Sequence, residues 1–338
     1  MSPLAWSAAI LLLTSLSLYV LFGGADFGGG ILATTLPPHL RAKLRNTMAP
    51  VWEANHVWVI AVVVILFVGF PKAYARAMVR LYVPISLALL AILVRGVFFT
   101  LRKYDPNPGV WKGTYNWLFR ASSLGAPLTF GFVLGALLTI HPGTPDEIPA
   151  GVSFSEAFVA PWLHPFGLLC GLFIAGLFGY LAAVFFFGEV ETEADRELVA
   201  KRARAFFMST FFLGGAVLLM GTWSDRVPIE RAFNPVFLLC QVVAGLGILP
   251  VFHSLEHGHP WRARLVSGGQ VLAILLGAVS AQFPTVLRTE GGNLELWSTV
   301  APEVTLFWLV VGFAGVLALV VPLLVLLYRV FDDTTGAN

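Results

Sequence analysis

Runs of about 20 apolar residues recur along almost the whole chain, and few features restrict a fold so tightly. A helix rising 1.5 Å per residue needs about 20 such residues to cross about 30 Å of hydrocarbon. In lipid every backbone N–H and C=O must be satisfied within the protein, so runs of this length fold as membrane-spanning helices. Of 338 residues, 57% are apolar and 12% charged, which leaves no stretch for a separate soluble domain. We expect an all-α integral membrane protein, one polytopic domain over residues 1–338. Nine spans are expected, near residues 4–30, 49–70, 78–100, 118–140, 163–188, 204–223, 235–254, 265–284 and 304–329. The first lacks a basic flank and an A-x-A site, so it reads as a retained span and not a cleaved signal.

Basic residues accumulate on the cytoplasmic side. With the N-terminus outside and the C-terminus cytoplasmic, every Lys and Arg falls inside except Lys72, Arg76, Arg80, Arg226, Arg231 and Arg288. The connection HPGTPDEIPAGVSFSEAFVAPW (141–162) carries acids and neither Lys nor Arg, as an external loop should. EVETEADRELVAKRARA (189–205) mixes charges at helical spacing and reads as a solvated cytoplasmic extension. Glycine pairs such as Gly131 and Gly135 suit close helix packing. Cys170 and Cys240 lie in apolar runs and read as small core residues. The net charge of +2 gives no reason to expect nucleic acid.

Polar side chains inside spans therefore stand out, because they are costly in hydrocarbon and face a partner or a wet cavity. Asp26 sits in FGGADFGGG (22–30), where glycines let other backbones approach; the run lacks the Lys and Ser/Thr of a phosphate loop. APVWEANHVWVI (49–60) places Glu53, Asn55 and His56 between two tryptophans. At 100° per residue Glu53 and His56 share a face, while Asn55 points elsewhere. Arg95 interrupts ISLALLAILVRGVFFTLRKYD (85–105). With the orientation above, Asp26, Glu53 and Arg95 converge in the cytoplasmic half of the membrane. Two readings stay open: an ion pair that fixes helix packing, or carboxylates that pass protons. In HSLEHGHPW (253–261), His253, Glu256 and His257 share a face, but at the membrane edge solvation accounts for them better than a metal. Haem ligation by His56 would need a second axial ligand, and no other histidine lies mid-span.

Taken in order, GADFGGG (24–30), WEANHVW (52–58), RGVFFTLR (95–102) and YNWLFRASSLGAPLTFGFVLGALL (115–138) resemble subunit II of the bacterial cytochrome bd quinol oxidases. LHPFGLLCGL (163–172) continues the likeness; beyond it only span spacing and AKRARA (200–205) agree. The resemblance implies a multi-pass protein of the bacterial cytoplasmic (inner) membrane, the non-haem subunit of a respiratory quinol:oxygen oxidoreductase. Its partner, subunit I, would carry haem b and haem d, and this chain would stabilise it and supply a cytoplasmic proton route. The family leaves room for a quinone at the membrane-facing surface and for a small single-span subunit, with quinol and lipid as further partners. No catalytic or metal-binding residue is implied in this chain. Carried over by position, Asp26 and Glu53 match the family's acids, Glu53 standing where Asp is more usual. His56 stands where Glu or Gln is more frequent, and Thr100 where an acid is common, which marks a divergent branch. Asp26, Glu53 and His56 are thus the expected proton pathway, and Arg95 and Arg102 the expected charge-pairing residues. The rival readings are a stand-alone proton-coupled transporter and a structural anchor; the inverted repeats of many transporters find no match here.

Overall fold

The computed structural model describes residues 2–48, 52–105 and 109–335, with side chains outside the described set at positions 48, 52–54, 103, 104, 229, 232, 320, 321 and 324–335. Among the described residues fifteen α-helices follow one another: α1 (Pro3–Leu18), α2 (Gly24–Leu32), α3 (Pro38–Met48), α4 (Trp52–Gly69), α5 (Pro71–Arg80), α6 (Tyr82–Tyr104), α7 (Lys112–Leu138), α8 (Phe154–Phe158), α9 (Pro165–Phe187), α10 (Glu193–Trp223), α11 (Ile229–Ala232), α12 (Pro235–Leu246), α13 (Ile248–Glu256), α14 (Pro260–Gln282) and α15 (Glu303–Thr335). Helix starts are written locally. Proline opens α1, α5, α9, α12 and α14, where a missing N–H is harmless. Side chains of Ser2, His164, Thr192 and Asn234 accept from the first free backbone N–H groups of α1, α9, α10 and α12.

Among the described residues seven stretches are long and apolar enough to cross a membrane, and an eighth if the bent pair α4–α5 counts as one. The expected spans near 49–70 and 304–329 fall on α4 and α15; the part of α15 that counts as an apolar helix is Glu303–Leu319. The first span is α1 joined to α2 through a wider π-helical turn, Tyr19–Gly23. Between α4 and α5 the chain turns by 116°, at Phe70 before Pro71. Proline disfavours helical backbone in its predecessor, which fixes the break there.

The helix α9 is the hub. It packs against α2, α7, α10 and α14, and glycines allow the approach. A Cβ on Gly131 of α7 would collide with the Gly171 backbone, and one on Gly135 would come 2.7 Å from the Gly167 Cα. A second cluster joins α1, α4 and α15 around Ala8, Ile65 and Leu306.

The all-α expectation needs one correction. A three-stranded sheet caps one end: β1 (Ile140–His141) runs parallel to β2 (Thr285–Thr289), which runs antiparallel to β3 (Gly292–Glu295). The segment TVLRT alternates buried and half-buried side chains, and Gly292, at φ 130°, turns the hairpin. Arg80, itself buried, holds the loop beside it by donating to the carbonyls of Pro142 (2.7 Å), Thr144 (2.7 Å) and Glu147 (3.0 Å).

Candidate functional site

The glycines around Asp26 draw α2 onto its neighbours. A Cβ on Gly24 would stand 2.7 Å from the Phe178 ring of α9; one on Gly28 would overlap the Phe178 carbonyl; one on Gly30 would overlap the Ser123 hydroxyl of α7. With both helices this close, Asp26 is only 3% exposed and faces Arg95 of α6, 2% exposed. Arg95 Nη1 donates to Asp26 Oδ2 at 2.6 Å, and Nη2 donates to Oδ1 at 2.7 Å and to the Asp26 carbonyl at 2.9 Å. Its Nε donates to Ser123 Oγ at 3.1 Å, and the rings of Phe27 and Phe119 flank the guanidinium at 4.9 and 5.1 Å. A two-pronged pair of this kind is strong and fixes direction. It ties α2, α6 and α7 together, with aromatic rings on the guanidinium.

Two more buried groups of the first span, the Ser15 and Tyr19 hydroxyls, have no hydrogen-bond partner among the described residues. Tyr19 lies within electrostatic reach of both Asp26 and Arg95. Buried hydroxyls in this condition are places for ordered water. From α4, buried Asn55 donates through Nδ2 to the Phe22 carbonyl in the wide turn at 3.2 Å. The amide in the WEANHVW stretch thus serves the bulged backbone of the first span. His56 follows, half-buried. The side chain of Glu53 lies outside the described residues.

Asp26 and Arg95 also line a cavity of about 280 Å³ between α2, α3, α6 and α7. Arg102 lies on its wall, where the nearest charges felt are those of Arg45 and Arg120. Of the two arginines singled out in α6, Arg95 lies against Asp26 and Arg102 is set among cations. Ser123, Phe27 and Phe119 were not singled out from sequence. An RASS stretch one helix away gives no hint of which hydroxyl meets a guanidinium.

At the end of α13, Glu256 accepts from Arg204 at 2.8 Å, and His257 donates through Nδ1 to the His253 carbonyl at 2.9 Å. Among the described residues no group of three or more His, Cys, Asp or Glu is placed to hold a metal ion. A larger, mostly apolar cavity of about 600 Å³ lies between α9, α10, α12 and α14, with Gln241, Gln270 and Arg231 among its polar groups. At the sheet end, burial pushes the His141 imidazole down to about 4, outweighing its 3.0 Å bond to the Ala136 carbonyl, so this side chain is neutral near pH 7.

The family model for cytochrome bd terminal oxidase subunit II matches residues 4–331. Cytochrome bd ubiquinol oxidase subunit 2 of Bacillus subtilis is 33% identical over 305 residues, covering 86% of this chain and 87% of the relative. Cytochrome bd-I ubiquinol oxidase subunit 2 of Escherichia coli is 26% identical over 317 residues, 84% and 82% of the two chains. Among solved structures, a chain of the bd oxidase from Geobacillus thermodenitrificans superposes with a TM-score of 0.78 at 19% identity, covering 98% of this chain and 99% of that one.

Proposed function

Because the chain belongs to the cytochrome bd terminal oxidase subunit II family, we propose that it is the non-haem subunit of a membrane-bound quinol:oxygen oxidoreductase and carries protons inward from the cytoplasm. The observation that carries this reading is the position of Asp26. It is buried and paired, yet it lines a polar cavity reaching the basic residues of α3, and buried hydroxyls of the same span continue from it into the membrane. Haem b and haem d, held in subunit I, would supply the electron transfer from quinol and the reduction of dioxygen to water. This chain's own part is to seat that subunit and to pass protons by way of Asp26, Glu53 and His56. Arg95 holds Asp26 in place and balances its charge.

Nine spans with the N-terminus outside complete the proposal, supported by the distribution of Lys and Arg. A quinone held by this chain would fit the apolar cavity beside α9. Its volume falls within the range of small-molecule sites, about 300–1,000 Å³, and Gln241, Gln270 and Arg231 offer polar groups.

Replacing Glu53 with Gln in the assembled complex tests the route. We expect oxygen consumption with saturating quinol to fall about a hundredfold or more, the usual scale of a positioned proton-transfer group, with subunit I still co-purifying. Unchanged turnover would remove Glu53 from the path. A second reading, a pair that only fixes helix packing, is favoured by Arg95 taking both oxygens of Asp26. It predicts that Glu53→Gln leaves turnover intact, whereas Asp26→Asn abolishes co-purification.

A further inference from the structure

The cavity beside Asp26 has far more positive charge than its carboxylate can balance. Besides Arg95, its wall presents Arg41 and Arg45 of α3, Arg102 of α6, and Lys112 and Arg120 of α7. Among the described residues Asp26 is the only carboxylate of the lining, and Arg95 already occupies both its oxygens.

Elsewhere at this end of the bundle, acids are matched to bases one by one. His39 meets Asp195 at 2.9 Å and Lys43 meets Glu191 at 2.6 Å. Lys201 meets Glu197, Arg204 meets Glu256, and Arg264 meets Glu189. On α3 the contrast lies within one helix. His39 and Lys43, four residues apart, turn to Asp195 in the first turn of α10 and to Glu191 just before it, while Arg41 and Arg45, also four apart, turn to the cavity. Among the described residues no ion pair forms at Arg45, Arg102, Lys112 or Arg120. Arg41 and Arg120 each use Nε on a nearby carbonyl, of Leu36 at 2.6 Å and Asn116 at 3.1 Å, which leaves their terminal nitrogens for something else. Asn116 lines the same wall, and its side-chain oxygen has no hydrogen-bond partner among the described residues. Turned over, that amide would present its NH₂ inward.

Like charges gathered in a partly desolvated space repel, and a fold that collects them this way needs an anion among them. Planar guanidinium groups converging from three helices suit the several oxygens of a tetrahedral oxyanion better than a single carboxylate. The geometry points to a binding site for a phosphate group in the cavity walled by α2, α3, α6 and α7. The depth fits as well: Asp26 is less than two turns from the end of α2, so the arginines sit at the membrane boundary. The phosphate could come from an anionic lipid headgroup or from solution, and the site stands whether or not Asp26 conducts protons.

The test uses the full chain with its co-purifying subunits in neutral detergent. Inorganic phosphate is titrated at constant ionic strength, followed by thermal shift and native mass spectrometry. We expect saturable stabilisation that weakens about tenfold or more in the Arg45→Gln/Arg102→Gln variant, since each charge-assisted bond contributes on that scale. Lys201→Gln, outside the cavity, should respond as wild type. Phosphatidylglycerol then separates the sources. A lipid that abolishes the phosphate response and stays bound to wild type but not to the variant identifies a headgroup site; a phosphate response that persists beside the lipid identifies free phosphate. If the double variant does not fold, Lys112→Gln, exposed at the rim, serves for the same comparison. No saturable response to either probe, or the same response in wild type and variant, overturns the site.

Discussion

Arg95 makes four hydrogen bonds, three to Asp26 and one to Ser123, and is sandwiched between two rings. Desolvating two charges is expensive, so removing one partner is far worse than removing both. Arg95→Met alone should destabilise the chain by about 3–5 kcal/mol, and Asp26→Leu/Arg95→Met should recover most of that. Thermal unfolding of the purified full chain measures both; a double variant no better than the single would show that the two residues do not act as a unit. At this scale the sequence was informative about type and poor about partner. Asp26 and Arg95 were conspicuous as charges in apolar runs, and their depth suggested a meeting. Whether Asp26 or Glu53 met Arg95 could not be read, because a helical register fixes faces within a helix and not the rotation of one helix against another. Asn55 was placed off the face shared by Glu53 and His56, and its task, the Phe22 carbonyl, depends on a π-turn that hydropathy does not register.

Helix packing here is set by where side chains are missing. Gly131 and Gly135 were legible as a close-packing motif, and the structure supplies the opposing pair, Gly167 and Gly171 on α9. Gly131→Ala should therefore push α7 from α9 and lower the melting temperature. Gly125→Ala, on the same helix with only a 3.9 Å contact to Ala91, should be neutral or stabilise by up to about 1 kcal/mol through helix propensity. A melting temperature unchanged in the first variant would mean that the interface is slack. The bend at Phe70 falls where the expected span ends, and Pro71, its local cause, carried no weight in that expectation. The sheet was not legible, because β1 contributes two residues and its parallel partner lies more than a hundred residues away. A hairpin turn can be read from EGGN; a parallel contact at such separation has no local signature.

For the whole molecule, the six cations that broke the positive-inside pattern share an explanation. Lys72 and Arg76 pair with Asp146, Arg80 holds three loop carbonyls, Arg226 meets Thr139 and His164, Arg231 meets Thr285, and Arg288 donates to the Arg226 carbonyl. They fasten the sheet and its loop and are poor witnesses to topology. With them set aside, the orientation rests on the remaining bases and can be tested directly. A cysteine replacing Ala150 should react with a membrane-impermeant maleimide in intact cells, and one replacing Glu193 only after lysis; the reverse pattern would invert the protein. The family likeness was readable to about residue 172, yet the family match runs to residue 331. Burial does not separate the two halves: α10 and the α12–α13 span bury 11% of their apolar windows, and the first span and α6, where the likeness was plain, bury only 17%. What the early spans have and the later ones lack is charge inside an apolar run, as at Asp26 and Arg95, which stands out against its surroundings. The position of α9 also governs how the chain is made. When α9 leaves the ribosome, α2 and α7 already exist and α10 and α14 do not, so its centre is half-clad at mid-synthesis. A nascent chain paused there would hold a glycine-lined groove open to the bilayer, and the second half of translation is what shuts it.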